Sequence, residues 1–185
     1  MELWRVCAWT PATSEPTING HPLFVRPMQG AGRVDDPEGE YLVLYAGDSP
    51  EGAVAEYLGN YPRWTAAVLS TPPASPAGST LALVRLTGDV EVLDLDDPHV
   101  LVDQGLRPSS VVTRERVVTQ QWARAIFEAG GHAGVTWWSY RDPRWASYGL
   151  WDRRGLALAD QPEPLTLTHP AVITAGQVVS RVIET

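Results

Sequence analysis

Five side chains in this 185-residue sequence are of kinds that do chemistry and stand where local pattern can hold them: Arg5, Arg33, Tyr45, Glu56 and Ser139. Arg33 closes the glycine-rich stretch GAGR, where a guanidinium can hold a phosphate through its planar donor fork. Glu56 interrupts the run AVAEYL, otherwise Ala, Val, Tyr and Leu. Ser139, in TWWSYRD, would be a nucleophile only beside a base. No His lies near it in sequence and no G-x-S-x-G elbow is present, which argues against a serine hydrolase. Taken singly, each residue has an ordinary reading. Glu56 is a solvated helix flank, Arg33 a cation in water, and Tyr45 a satisfied core tyrosine. Their order along the chain is what makes them a set.

The elements that must position them are legible in outline. Leu3 to Ala8 alternates weakly and reads as a first strand, with Arg5 on the opposite face from Trp4 and Val6. Tyr41 to Ala46 is a short apolar run suited to a buried strand, with Tyr45 near its end. Ser49 then offers an N-cap, Pro50 a first helical residue and Glu51 a favourable first-turn charge, so the spacing predicts a helix from Pro50 to Leu58. On a helical wheel Ala53, Val54, Tyr57 and Leu58 share a face, with Glu56 on its flank. Leu81 to Leu86 and Val90 to Leu95 read as paired strands around Thr87-Gly88-Asp89. Val118, Trp122, Ala125, Ile126 and Ala129 recur at helical spacing within a helix expected from Thr113 to Ala129, stopped by Gly130-Gly131. Strands are expected again at Ala133 to Ser139, Tyr148 to Trp151 and Gln177 to Ile183. Short strands with few helices and no βαβ alternation predict an α+β fold of mostly antiparallel strands, as one domain over residues 1–185.

Composition narrows the function classes. The net charge is −8, which argues against broad electrostatic binding to nucleic acid. The chain has no Lys, so any anion held by a side-chain cation is held by one of its fourteen Arg. Cys7 is the single cysteine and excludes an internal disulfide, and the four scattered His show no zinc spacing. No apolar run approaches the roughly 18 residues of a membrane helix. The opening MELWRVCAW lacks the features of a secretory signal, so a cytoplasmic protein without membrane contact is expected. Eight Trp are many for one core and leave room for a homo-oligomer.

The order LWRV, GAGR, LYAGDSPEGAVAEYL and a late strand leading to Ser139 resembles the RES domain family, named for its Arg, Glu and Ser residues. The resemblance runs from Leu3 to about Trp151 and is densest from Gly30 to Leu58. The stretch TQQWARAIFEAG from Thr119 to Gly130 is also similar to the family's Thr-Gln-containing helix. Two positions depart from the pattern: Val34-Asp35 follow Arg33 where the family often has Trp-Asn, and Trp138 precedes Ser139 where it often has Pro.

The resemblance implies a compact fold related to the ADP-ribosyltransferase toxins and an enzyme that consumes NAD as substrate, with no prosthetic group and no metal. Characterised members break the bond between nicotinamide and ribose, some with inorganic phosphate as acceptor, and are held inactive by an Xre-like DNA-binding antitoxin. By resemblance, Glu56, Arg33 and Ser139 are the catalytic candidates, while Arg5, Arg33, Tyr45 and Ser139 are the NAD-binding ones. Two other readings remain open: an ADP-ribosyltransferase that modifies a protein, and a non-enzymatic binding module using the aromatic region around Trp137, Trp138, Tyr140, Trp145, Tyr148 and Trp151.

Overall fold

The computed structural model describes residues 1–184. In chain order the elements are β1 (Glu2–Trp9), β2 (Leu44–Gly47), α1 (Pro50–Leu58), β3 (Arg63–Trp64), a 3-10 turn (Ala66–Leu69), β4 (Thr80–Thr87), β5 (Val92–Asp94), α2 (Pro98–Asp103), α3 (Pro108–Val112), α4 (Arg116–Ala129), β6 (Gly134–Trp138), β7 (Ala146–Leu150), β8 (Ala157–Leu158), β9 (Glu163–Pro164), α5 (Pro170–Val178) and β10 (Val182–Ile183). This is an α+β fold. Its main sheet runs β5-β6-β7-β2-β1-β4-β8, with β9 also on β4, and is antiparallel except for β5 beside β6. β10 pairs in parallel with β3 in a separate two-stranded sheet.

The pairing of β1 places the site. β1 matches β4 at every position from Glu2 opposite Thr87 to Trp9 opposite Thr80. It meets β2 at one position alone, Trp4 opposite Gly47, while β2 is fully paired with β7. With so short a ladder, β1 and β2 part beyond Trp4, and Arg5 and Val6 of one strand and Tyr45 and Ala46 of the other line a cavity. A sheet opened in its middle gives a concave wall with side chains from two strands.

Three apolar clusters hold the two sides. α1 and α5 pack over β1 and β4 through Val54, Leu58, Leu81, Leu83 and Val172, with Trp64 fully buried and its indole N–H donated to the Leu58 carbonyl. α3 and α4 cover β6 through Val111, Trp122, Ile126, Val135 and Trp137. Leu3, Leu44, Val84, Leu86 and Leu150 fill the third cluster.

α1 has the predicted bounds, and the Ser49 hydroxyl accepts from Gly52 N at 3.1 Å. Other expectations are corrected. β5 does not form a hairpin with β4, because Gly88 exchanges backbone bonds with Met1, continuing the β1 ladder instead of turning. The strand expected at Gln177 to Ile183 opens instead as the end of a helix and a turn. His169 caps α5 and Pro170 starts it, Ala171, Val172, Ala175 and Gly176 are buried at helical spacing, and only Val182–Ile183 returns as strand, after Ser180 at φ 54°. α4 begins at Arg116, and its buried face is Thr119, Gln120, Trp122, Ala123 and Ile126, while Ala125 and Ala129 face solvent. Among the described residues no helix is long and apolar enough to cross a membrane.

Candidate active site

Glu56 is exposed on α1, although Gly52, Ala53, Val54, Ala55 and Leu58 around it are buried. Ala55 is covered because it packs in the apolar cluster that α1 shares with α5. Glu56 is left pointing into the cavity, where its carboxylate accepts a hydrogen bond from the Ser139 hydroxyl, 83 residues away. Ser139 lies just beyond β6 and is only 2% exposed. Its oxygen also accepts from Arg141 N at 3.0 Å, and its own N–H donates to the Trp145 carbonyl at 2.7 Å. Arg141 reaches back to α1, donating to the Gly59 carbonyl at 2.9 Å and to Asn60 Oδ1 at 2.6 Å. A side chain at Gly59 would collide with that guanidinium and with the Ala55 carbonyl, so glycine is required for this close approach. The segment after β6 is therefore clamped to the C-terminal end of α1, and the clamp fixes Ser139 against Glu56.

The GAGR loop is organised by a residue that the sequence marked only as part of a departure from the family pattern. Asp35, 4% exposed, accepts from Gly30 N at 2.8 Å and Gly32 N at 2.6 Å, while the Tyr45 hydroxyl donates to its other oxygen at 2.7 Å. A carboxylate bound by three donors is a strong local anchor. Any side chain at Gly32 would strike Asp35 and Tyr45. Val34 is fully buried in the cluster under α4, so both departures after Arg33 have a place in the packing. From α4, Gln120 Nε2 donates to the Gly30 and Gly32 carbonyls, each at 2.9 Å. One turn later Arg124 pairs with Asp36, Glu38 and Glu40. One face of α4 thus holds the whole loop.

Burial, helped by the charge on Asp35, pushes the Tyr45 phenol well above its ordinary range. It stays neutral, and its hydroxyl is committed to Asp35 and to Val34 N, so its ring is what it offers the cavity. Arg33 donates through one nitrogen to the Val111 carbonyl at 2.7 Å and to the Thr113 carbonyl at 2.8 Å, and its guanidinium lies 5.9 Å from the Trp137 ring centroid. The C-terminal carbonyls of α3 suit a cation. Arg5 donates to the Pro22 and Phe24 carbonyls at 2.8 and 3.0 Å. Burial lowers both guanidiniums from their ordinary value, Arg33 further through the like charge of Arg116.

The structure brings Arg5, Arg33, Tyr45 and Glu56 onto one cavity of about 290 Å³, and places Ser139 behind Glu56. Arg116 and Tyr57 line it too and were not read from sequence as site residues, and Trp137 and Tyr140, read only as part of the aromatic region of a binding module, complete the wall. Gln120 carried two signals, its place in the stretch similar to the family's Thr-Gln-containing helix and its polar side chain on the inward face of a helix, which needs partners if buried. The aromatic region is largely consumed by packing. Trp137 is 4% exposed, while Trp138, Trp145 and Trp151 are partly buried against the apolar clusters, which leaves little of the platform a binding module would use.

With one carboxylate and three guanidiniums, the cavity wall carries net positive charge, the polarity that suits an anion. The RES domain matches residues 2–171, and the chain belongs to that family. No curated protein matches it. Among solved structures it is similar to a chain of the M. tuberculosis MbcT–MbcA toxin–antitoxin complex, with 18% identity, 97% of this chain and 88% of that chain covered, and a TM-score of 0.57. That similarity concerns the fold.

Proposed function

We propose that this RES protein breaks the nicotinamide–ribose bond of NAD and passes the ADP-ribosyl group to phosphate or water, as the toxin of a toxin–antitoxin pair. The observation that carries the reading is that Glu56 is the sole carboxylate on a cavity whose other charged lining residues are Arg5, Arg33 and Arg116. Nicotinamide leaves as a neutral ring when the ribose–nitrogen bond breaks, and the ribose carbon gains oxocarbenium character. A carboxylate held in place beforehand stabilises that charge as it develops. Glu56 takes that role, with Ser139 orienting it, while Arg5 and Arg33 neutralise phosphate groups in the cleft and the Tyr45 ring packs against the nicotinamide end.

Family membership supports NAD as the substrate, and the toxin–antitoxin complex among similar folds supports an antitoxin partner. The partner is expected to be Xre-like and to carry any DNA contact. The test is to incubate the purified protein with NAD, with and without phosphate, and identify the products. Release of nicotinamide is expected, whereas intact NAD after prolonged incubation would overturn the reading. Transfer of radiolabelled ADP-ribose to a protein would replace it with the transferase reading.

A further inference from the structure

The cavity is one of three that meet at Arg5. Two others, of about 450 and 400 Å³, share Arg5 and Val6 with it. Both are lined by Arg26, and neither by Glu56, Arg33 or Arg116. The cations are therefore divided. Arg26 serves the outer cavities, Arg33 and Arg116 lie with Glu56 in the first, and Arg5 stands at the junction of all three. Among the described residues none of these four forms an ion pair, although Arg63, Arg85, Arg124, Arg144 and Arg154 do. At Arg33 the like charge of Arg116 is felt more strongly than the opposite charge of Glu56, and a cation pair with excess positive charge on a cavity wall is a site for an anion.

NAD has one pyrophosphate, and Arg5, where the three cavities meet, together with Arg26 offers it cations outside the Arg33–Arg116 pair. With the pyrophosphate at those cations, Arg116 and the Arg33 nitrogens other than the one bonded to Val111 and Thr113 remain for a second anion. Resting on the proposed NAD cleavage, we propose that Arg116, the first residue of α4, forms with Arg33 the subsite for a separate acceptor oxyanion, inorganic phosphate. In the step this serves, an unprotonated oxygen of hydrogen phosphate forms a bond to the ribose carbon as the carbon–nitrogen bond breaks. The bonding pair leaves on nicotinamide, and no proton moves. The products are neutral nicotinamide and an ADP-ribose 1-phosphate, which releases its remaining proton to solvent according to pH.

The experiment has two arms. Binding of inorganic phosphate to the NAD-free protein is followed by titration calorimetry for the wild type, Arg116→Gln and Arg26→Gln. Arg116→Gln is expected to weaken it at least tenfold and Arg26→Gln less than twofold. Nicotinamide release is then measured against phosphate at saturating NAD and against NAD at saturating phosphate. Arg116→Gln is expected to raise the half-saturating phosphate at least tenfold and that for NAD less than twofold, and Arg26→Gln to do the reverse. No phosphate binding by the wild type, equal binding by Arg116→Gln, or an Arg116→Gln effect on NAD alone would overturn the subsite. Phosphate binding that depends on Arg116 in a protein that leaves NAD intact would instead overturn the cleavage reading and keep the anion site.

Discussion

Ser139→Ala isolates what the hydroxyl contributes. In the wild type it donates to Glu56 and accepts from Arg141 N, so its loss frees the carboxylate to turn and leaves a backbone N–H without its acceptor. A hydrogen bond to a charged group is worth about 1.5–3 kcal/mol. If it serves to hold Glu56 where charge develops, that energy appears in the barrier, and tenfold in rate for each 1.36 kcal/mol makes kcat about ten- to a hundredfold lower. Half-saturating NAD should change less than threefold, because Ser139 is buried behind Glu56 and is not on the cavity wall. The orphaned Arg141 N–H costs about 1–3 kcal/mol of stability. For a chain of this length that lowers Tm by about 2–10 °C, so assays at 20–25 °C still report on folded protein. The assay is nicotinamide release against NAD concentration, with a thermal melt on the same samples. A folded Ser139→Ala protein with kcat within twofold of wild type, or with its whole loss in half-saturating NAD, would refute Ser139 as the residue that orients Glu56.

Three further outcomes are expected. Gln120→Leu removes both bonds to the GAGR carbonyls and should cost about 1–3 kcal/mol, seen in urea unfolding. Its half-saturating NAD and phosphate should rise together, since the loop carrying Arg33 is loosened. Trp64→Ala empties a fully buried site and abandons the Leu58 carbonyl, and should cost about 3–5 kcal/mol without a specific change in the half-saturating NAD of the folded fraction. Asp36 supplies the pH dependence. Burial opposes its charge, but the Glu38 and Glu40 N–H groups and Arg124 outweigh that and hold the carboxyl below its ordinary range. A depressed folded value means its stabilisation is complete above the unfolded carboxylate value near 4 and is lost as pH falls through the folded value. Denaturation from pH 6 to pH 2.5 should show a steeper acid-side loss in the wild type than in Asp36→Asn.

The residues of α1 were legible because their signals are local. Ser49, Pro50 and Glu51 fix the start of the helix, and the wheel puts Glu56 on a flank. What the flank faces was not legible, since it depends on β1 and β2 meeting only at Trp4 and Gly47, a non-local event with no pattern in either strand. The Ser139 contact likewise depends on Arg141 reaching Gly59 across 82 residues. The roles of Asp35 and Gln120 were not legible because their partners are mostly glycine backbone groups, which carry no side-chain signature. The β4–β5 hairpin failed for a related reason: Gly88 has turn chemistry, but its backbone is taken by Met1. At α2 and α3 the signal was present and passed over, as Pro98 and Pro108 stand at the helix starts and Asp97 caps the first.

The most direct test of the central claim is nicotinamide release by Glu56→Gln at saturating NAD and phosphate. The substitution keeps the size of the side chain and an acceptor for Ser139 while removing the charge. Release at least a thousandfold below wild type is predicted, with an unchanged melting temperature, because Glu56 is exposed and outside the packed face of α1. A folded Glu56→Gln protein that releases nicotinamide within a few-fold of the wild-type rate would contradict the role of Glu56 in stabilising the ribosyl cation.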